Sequence, residues 1–305
     1  MDINLLTGLA SSTVTMAVPL LLAALGELIA ERAGVINIGL EGLILIGAFT
    51  ALVGTMSSGS TALGIAAAAA VGALLGAGLA ACIVGRNADQ VLAGTALNLL
   101  GVGATGVAYR ALFGVTGAAL TIQGSTALPI PLLSRVPIAG AALFNQTPLV
   151  YASMLLVPCV GVALGRTVPG LKLRMVGENP HAAETQGISV ATVRTVALLA
   201  CGILAALAGA YLAVAYARTF VEGMSAGRGF IALAIVIVGR RSAWGILGAA
   251  MFFGLATALQ FHFQALGLHV PFQLFLTLPY VLTLVVLAAR IGRSTAPAAL
   301  GQPYP

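Results

Sequence analysis

Long stretches of this chain contain no charged residue, and they constrain its fold more than any other feature. They include residues 42–85, 90–109, 136–165, 195–217 and 242–289. An α-helix needs about 20 apolar residues to cross the ~30 Å hydrocarbon core of a bilayer. The longest stretches can therefore hold two crossings each. Because 60% of the residues are hydrophobic and 7% are charged, a soluble globular fold is not expected.

The apolar segments predict membrane-spanning helices, because they are rich in Ala and Leu and lack the alternating pattern of a barrel wall. We expect an all-α polytopic membrane protein, a single transmembrane domain over residues 1–305, with about eight to ten transmembrane helices and possible re-entrant segments. Gly72 and Gly76 stand at a spacing that favours close helix packing. The predicted spans lie near 12–30, 38–56, 61–84, 91–109, 147–165, 194–216, 220–240, 242–261 and 273–289.

The basic residues indicate an orientation. If all nine segments cross, most of the 14 basic residues collect on one side, and the other side keeps only Arg110, Arg135, Arg218 and Arg228. The positive-inside rule then places the loop at about 166–194 in the cytoplasm. The loop at about 110–146 is extracytoplasmic in this arrangement.

The seventh segment leaves two interpretations open. Only residues 229–239 are free of charge, which corresponds to about half of the membrane thickness. Either the helix extends back through Phe220 and Met224, or it is a re-entrant half-helix, which would invert the sidedness of everything after it. We favour a crossing because it gives the stronger charge asymmetry.

A compact polar island at residues 177–189 interrupts the apolar chain. Asn179 can cap a helix with Pro180 in its first turn, and Gly187 can end that helix in a left-handed conformation. We expect a helix of about two turns that exposes the small side chains of Ala182 and Ala183. An ordinary loop that docks nothing is the alternative. The candidate contact residues are Gly177, Glu178, Asn179, Pro180, His181, Ala182, Ala183, Glu184 and Gly187.

Three stretches carry a family resemblance. The first is GELIAERAGVINIGLEGLILIG from Gly26 to Gly47; the others, after the island, are ILAALAGAYLA at 203–213 and GRGFIALAIVIVGR at 227–240. Together they resemble the permease subunits of bacterial ABC importers in the branched-chain amino acid and sugar superfamily, nearest to the simple-sugar and nucleoside branch. The resemblance covers most of the chain, and ERAGVINIGLEG is its most specific part.

The resemblance implies a helix bundle like that of type II importers in the bacterial plasma (inner) membrane, and a transport subunit rather than an enzyme. It also implies a coupling helix with the pattern Glu-Ala-Ala, three residues, Gly. Here Ala182, Ala183 and Gly187 fit that pattern, while His181 stands at the Glu position. The implied partners are cytoplasmic ABC ATPase subunits, a second permease subunit (identical or different), an extracytoplasmic solute-binding protein and the lipid bilayer.

The implied cargo is a nucleoside or a simple sugar, delivered by the binding protein. A branched-chain amino acid is the alternative within the family. An ion-coupled secondary transporter is a less favoured alternative, because it would place carboxylates in the middle of its helices.

Polar residues inside or near the apolar segments are candidates for a gate or a translocation path, since polar groups in a bilayer need a partner or a function. Glu41 could hold a broken helix or an inner gate, or could simply reach water as an interfacial carboxylate. Asn98 and Gln260 could equally be interhelical hydrogen-bonding residues. The full set is Glu27, Asn37, Glu41, Asn98 and Gln260. On the outer side, Arg110 and Arg135 could contact the binding protein, or only lipid and water.

No sequence feature points to chemistry within the chain. The single lysine, Lys172, is not part of a phosphate-binding GxxxxGK[ST] loop. The three cysteines share no metal-ligand spacing, so we expect neither a metal nor another cofactor. The basic residues are scattered singly, which does not favour nucleic-acid binding.

Overall fold

The computed structural model describes residues 3–114, 122–131, 134, 139–265, 277, 281, 284, 288 and 296–304. Its helices are α1 (Ile3–Arg32), α2 (Leu40–Ser58), α3 (Thr61–Ile83), α4 (Gln90–Phe113), α5 (Ala139–Leu143), α6 (Pro148–Arg166), α7 (Val168–Glu178), α8 (Pro180–Thr185), α9 (Val190–Ala210), α10 (Arg228–Val238) and α11 (Ala243–Ala265). A π-helical turn, Tyr211–Tyr216, continues α9. Two short strands, β1 (Leu128–Pro129) and β2 (Asn145–Gln146), pair antiparallel.

Within the described residues, seven helices are long and apolar enough to cross a membrane. They confirm the all-α polytopic fold, and each corresponds to a predicted span. The predicted span 273–289 lies mostly outside the described residues. The predicted span 220–240 is only partly helical, because α10 has 11 residues and begins at Arg228. The seven are α1, α2, α3, α4, α6, α9 with its π-helical turn, and α11.

Helices α1 and α9 form the centre of the bundle. Helix α1 packs against α9, α10 and α11, and α9 packs against α2 and α3 as well. Leu21 and Leu25 of α1 and Leu198 of α9 are fully buried in the resulting core. By contrast, Leu74 of α3 and Leu99 of α4 are exposed. Apolar side chains on the outside of a bundle are what a surrounding bilayer requires.

Glycines let α3 and α9 approach closely. A Cβ atom on Gly72 would lie 2.4 Å from the carbonyl oxygen of Gly202, and one on Gly76 would lie 2.6 Å from that of Leu198. The two backbones therefore touch where the spacing of Gly72 and Gly76 predicts close packing.

Two non-helical segments pack within the bundle. After α1, residues 35–39 fold back along its last turns, because the backbone N–H of Asn37 donates to Glu27 Oε1 at 3.0 Å. After the π-helical turn, residues 217–227 form turns before α10 begins. Helix α10 is about 16 Å long at the helical rise, about half of the hydrocarbon thickness. The alternative in which this helix extends back to Phe220 is therefore wrong.

The interrupted segment 217–241 nevertheless runs from one end of the bundle to the other. At one end, the Glu222 carboxylate pairs with Arg110, and Arg218 O accepts from Ile122 N at 3.0 Å. At the other end, Arg241 pairs with Glu31. This path agrees with a crossing rather than a re-entrant hairpin.

The predicted extracytoplasmic loop 110–146 contains the end of α4, the two strands and the short helix α5. We refer to this end, with Arg110 and Glu222, as the loop end. We refer to the opposite end, with Glu31, Arg32 and Arg241, as the coupling end.

Candidate functional site

The predicted cytoplasmic loop 166–194 folds into α7, α8 and the first turn of α9 at the coupling end. Helix α8 has the local structure that the polar island predicts. Asn179 Oδ1 accepts a hydrogen bond from Ala182 N at 3.0 Å, and Pro180 occupies the first turn. Gly187 has φ +74°, and its N–H donates to Glu184 O at 2.8 Å. Both ends of this six-residue helix are therefore capped.

Only part of the predicted contact surface faces solvent. His181, Ala182 and Glu184 are exposed. Ala183 is 0% exposed and packs with Val176 and Val190, so the prediction that Ala183 is exposed is wrong. The physical reason is that a two-turn helix lying on a bundle must turn one side inward, and Ala183 is on that side.

Gly177 and Glu178 connect α8 to the bundle. A Cβ on Gly177 would lie 2.3 Å from the carbonyl oxygen of Arg32, so the end of α7 rests directly against the end of α1. The Glu178 carboxylate accepts from Ala298 N at 3.3 Å. Gly177 is buried and Glu178 is exposed, and both attach α8 to the rest of the chain.

A buried polar cluster joins α1, the segment 35–39 and α9. Glu27 is fully buried, and its Oε2 accepts from the Cys201 thiol at 3.6 Å. Asn37 is also buried; its side-chain amide donates to Cys201 Sγ at 3.3 Å, and its Oδ1 accepts from Gly39 N at 2.9 Å. The structure therefore brings together Glu27 and Asn37, two of the predicted gate residues.

Glu41 holds the start of α10. Its Oε1 accepts from Gly227 N and its Oε2 from Gly229 N, both at 2.7 Å. Gly227 has φ +77°, and a Cβ on Gly229 would lie 2.4 Å from Glu41 N. Both positions therefore require glycine. A carboxylate at a helix N-terminus satisfies free amide donors and complements the helix dipole, so Glu41 caps a half-helix from another part of the chain.

Sequence reasoning missed the partners of Glu41. The signal that could have identified them is the pair of glycines around Arg228, placed before an apolar helix that has no Ser, Thr, Asp or Asn at its start. When a helix lacks its own capping side chain, its first backbone N–H groups need a hydrogen-bond acceptor from elsewhere in the fold.

Asn98 and Gln260 do not join Glu27 and Asn37 in one cluster. The Asn98 side chain accepts from Gly42 N at 2.8 Å and donates to Ile38 O at 2.9 Å, so it links α4 to the start of α2. This is the interhelical hydrogen-bonding role rather than an open position on a path. Gln260 is buried on α11, 6% exposed.

Arg110 is paired within the chain. Its guanidinium contacts the Glu222 carboxylate through two hydrogen bonds of 3.0 and 2.9 Å. These bonds hold the pKa of Glu222 below its ordinary value. Arg110 therefore has an acidic partner within this chain, on a segment outside the stretch 110–146. Arg135 lies outside the described residues.

An ion pair closes the coupling end. Arg241 pairs with Glu31, with side-chain exposures of 9% and 4%. Arg32 Nη2 donates to Arg241 O at 2.6 Å. Because both Glu31 and Arg32 stand at the end of α1, the α10–α11 turn is fixed to that helix. In the described part of the chain, no group of three or more His, Cys, Asp or Glu residues is placed to hold a metal.

Comparisons with known proteins find one matching family model and several full-length relatives. The family model described as branched-chain amino acid transport system / permease component matches residues 9–287. The guanosine ABC transporter permease protein NupQ of Bacillus subtilis is 37% identical, covering 100% of this chain and 98% of its own length. No solved structure matches the chain significantly.

Two further relatives also match over nearly their whole length. The putative glucose ABC transporter permease protein TsgC13 of Haloferax volcanii is 36% identical, with 97% of each chain covered. The nucleoside ABC transporter permease protein NupC of Lactococcus lactis is 34% identical, covering 99% of this chain and 98% of its own.

Proposed function

Because this chain belongs to the family of branched-chain amino acid transport system permease components, we propose that it forms the translocation path for a nucleoside or a simple sugar. As an ABC transporter permease it is a multi-pass membrane protein and a transport subunit, not an enzyme, and such a permease works with ATPase and solute-binding partners. The finer assignment, to nucleosides or sugars, is supported by the names of the full-length relatives: guanosine, nucleoside and glucose permeases.

ATP hydrolysis in the partner subunits acts on this chain through α8. The capped helix presents His181, Ala182 and Glu184 at the coupling end, and Gly177 rests against the end of α1. A movement of α8 is therefore passed to the central helix through the end of α7. Because α1 also contacts the α10–α11 turn through Glu31 and Arg241, the half-helix α10 lies on the same line of contacts.

In this proposal, the two non-helical segments 35–39 and 217–227 form the movable part of the path. Glu41 joins the start of α2 to the start of α10 through hydrogen bonds, while no covalent turn joins those two helices. Opening the path towards either side of the membrane requires α2 and α10 to move relative to each other where Glu41 joins them. The buried Glu27 and Asn37 keep the neighbouring segment 35–39 attached to α1 during that movement.

The complete importer contains a second permease subunit, either a copy of this chain or a related one, and lies in the plasma membrane of a bacterium. The loop end faces the binding protein and the coupling end faces the cytoplasm. This orientation follows from the distribution of the basic residues.

Transport measurements test the proposal. The complex of this permease with its ATPase and binding protein, in vesicles, is expected to take up guanosine or glucose only when ATP is supplied.

Thermal-shift assays of the binding protein with nucleosides, sugars and leucine identify the cargo class. Stabilisation by leucine alone would favour the branched-chain amino acid alternative, which the family description suggests. Uptake driven by an ion gradient without ATP would contradict the proposal.

A further inference from the structure

Residues 296–304 lie across the coupling end, and we call them the strap. Two backbone hydrogen bonds hold the strap in place. Ala299 N donates to Gly177 O at 3.0 Å, and Gly301 N donates to Gly34 O at 3.1 Å. Ala299 is itself 5% exposed. The strap is therefore attached both to the end of α7 and to the turn that follows α1.

A buried arginine adds a third attachment. Arg194 on α9 is 3% exposed, and its Nη1 donates to Gln302 O at 3.0 Å. Its Nε and Nη2 have no hydrogen-bond partner among the described residues. Its guanidinium lies over the Tyr304 ring, 6.0 Å from the ring centroid, within the range of a cation–π contact. Because a buried cation is costly when it lacks partners, these contacts favour a docked strap.

Tyr304 connects the strap to the exposed side of α8. Its hydroxyl donates to the Glu184 carboxylate. Its ring packs against the His181 ring with 4.9 Å between the centroids. The carboxylate bond raises the pKa of the Tyr304 hydroxyl. Two of the exposed side chains of the coupling helix are thus held by the strap.

Tyr304 also forms one wall of a cavity beside α8. The cavity has a volume of about 380 Å³, and its other walls include Gly187, Ser189 and Arg194. It is large enough for one or two side chains of another protein. Its position next to the exposed residues of α8 makes it continuous with the surface on which the ATPase acts in the proposed function.

We propose that the strap is part of the ATPase docking surface, that Tyr304 is a positioning residue for α8, and that the cavity receives a side chain of the ATPase subunit. This inference rests on the proposed function. A helix of six residues has little stability of its own. To transmit a push, α8 needs more than one attachment, and the strap supplies one in addition to those from α7 and α9.

The test compares variants of the full permease assembled with its ATPase and binding protein in vesicles. Tyr304→Ala is expected to weaken ATPase binding and to lower uptake per ATP hydrolysed about fivefold, the lower range of coupling effects. Tyr304→Phe keeps the ring against His181 and removes only the hydrogen bond to Glu184. The decrease in ATPase binding and in uptake per ATP should therefore be smaller. Pro303→Ala, at an exposed neighbouring position, serves as the matched control and should behave like the unmodified protein.

A further variant separates the strap from the proposed function. Ala182→Trp places a bulky ring on the exposed side of α8 and is expected to uncouple hydrolysis from uptake. If Ala182→Trp uncouples the complex while Tyr304→Ala leaves both ATPase affinity and coupling unchanged, the strap inference is wrong and the proposed function stands. If neither variant has an effect, α8 is not the docking helix, and both the strap inference and the proposed role of α8 are wrong.

A structural role alone gives a different result. Tyr304→Ala would then lower the melting temperature of the isolated permease without changing the affinity for the ATPase subunit. That result would also overturn the inference.

Discussion

At the scale of single residues, Glu41 and Ala183 show how much a side chain's role depends on what the fold places beside it. Glu41 lies near the start of an apolar helix, where an ionised group is expensive unless it is well solvated or hydrogen-bonded. The fold provides two backbone donors, Gly227 and Gly229, at 2.7 Å. Ala183 fits the spacing of a docking surface but is buried beneath it.

Glu41→Gln is expected to loosen the half-helix α10. A glutamine has one acceptor oxygen and no charge, so at least one of the two charge-assisted hydrogen bonds is lost, which costs about 1–3 kcal/mol. The melting temperature should fall, and amide hydrogen exchange should accelerate at the first turn of α10.

Glu222→Gln is the matched control for this variant. Glu222 pairs with Arg110 on an exposed surface, where an ion pair contributes little to stability. Unchanged exchange at Gly229 in the Glu41 variant would mean that the carboxylate does not hold α10 in place.

At the scale of helices, the bundle depends on glycines that permit backbone contact. Helices α3 and α9 meet at Gly72 and Gly202, where a single Cβ on either residue would collide with the other's carbonyl group. Lipid supplies no hydrophobic force that could compensate for a gap between helices, so such packing is a main source of stability in a membrane bundle.

Gly72→Ala is therefore expected to destabilise the permease by about 1–3 kcal/mol, the usual cost of an added carbon in a tight core. Gly78→Ala, on the same helix, should have no such effect because nothing lies within 4 Å of its added Cβ. Thermal unfolding of the two variants in detergent, followed by intrinsic fluorescence or aggregation, measures the difference. Equal melting temperatures would show that α3 and α9 can separate without cost.

At the scale of the whole molecule, the two ends of the bundle differ in their contacts. The loop end carries Arg110 with Glu222, and the coupling end carries α8, the ion pair of Glu31 with Arg241, and the strap. Helix α1 connects the two ends and is buried along most of its length. In the proposed function, a push at α8 would therefore reach the loop end through one central helix.

Cysteine labelling tests which end faces the cytoplasm. In a variant with Cys82, Cys159 and Cys201 replaced by alanine, Gln186→Cys should react with an impermeant maleimide only after the membrane is permeabilised. Val221→Cys, at a position 60% exposed, should react in intact cells. Labelling of Gln186→Cys in intact cells would reverse the orientation and remove α8 from the ATPase side.

How much of the structure could be predicted from the sequence depends on how far apart along the chain the contacting residues lie. The spans and the all-α fold follow from runs of apolar residues, and the caps of α8 follow from Asn179, Pro180 and Gly187, which lie within a few residues of the groups they satisfy. Glu41 was identified as a candidate, but its partners lie 186 and 188 residues away. The pair of Arg110 with Glu222 spans 112 residues.

By itself, then, the sequence determined the seven long apolar helices of the described residues and the position of the polar helix α8, because hydropathy and capping act through neighbouring residues. Only the tertiary structure decided that Ala183 faces inward, that Glu41 caps α10 and that Tyr304 reaches Glu184. These outcomes depend on the rotation and depth of each helix in the bundle. Packing between distant segments sets both, and no local pattern of residues specifies them.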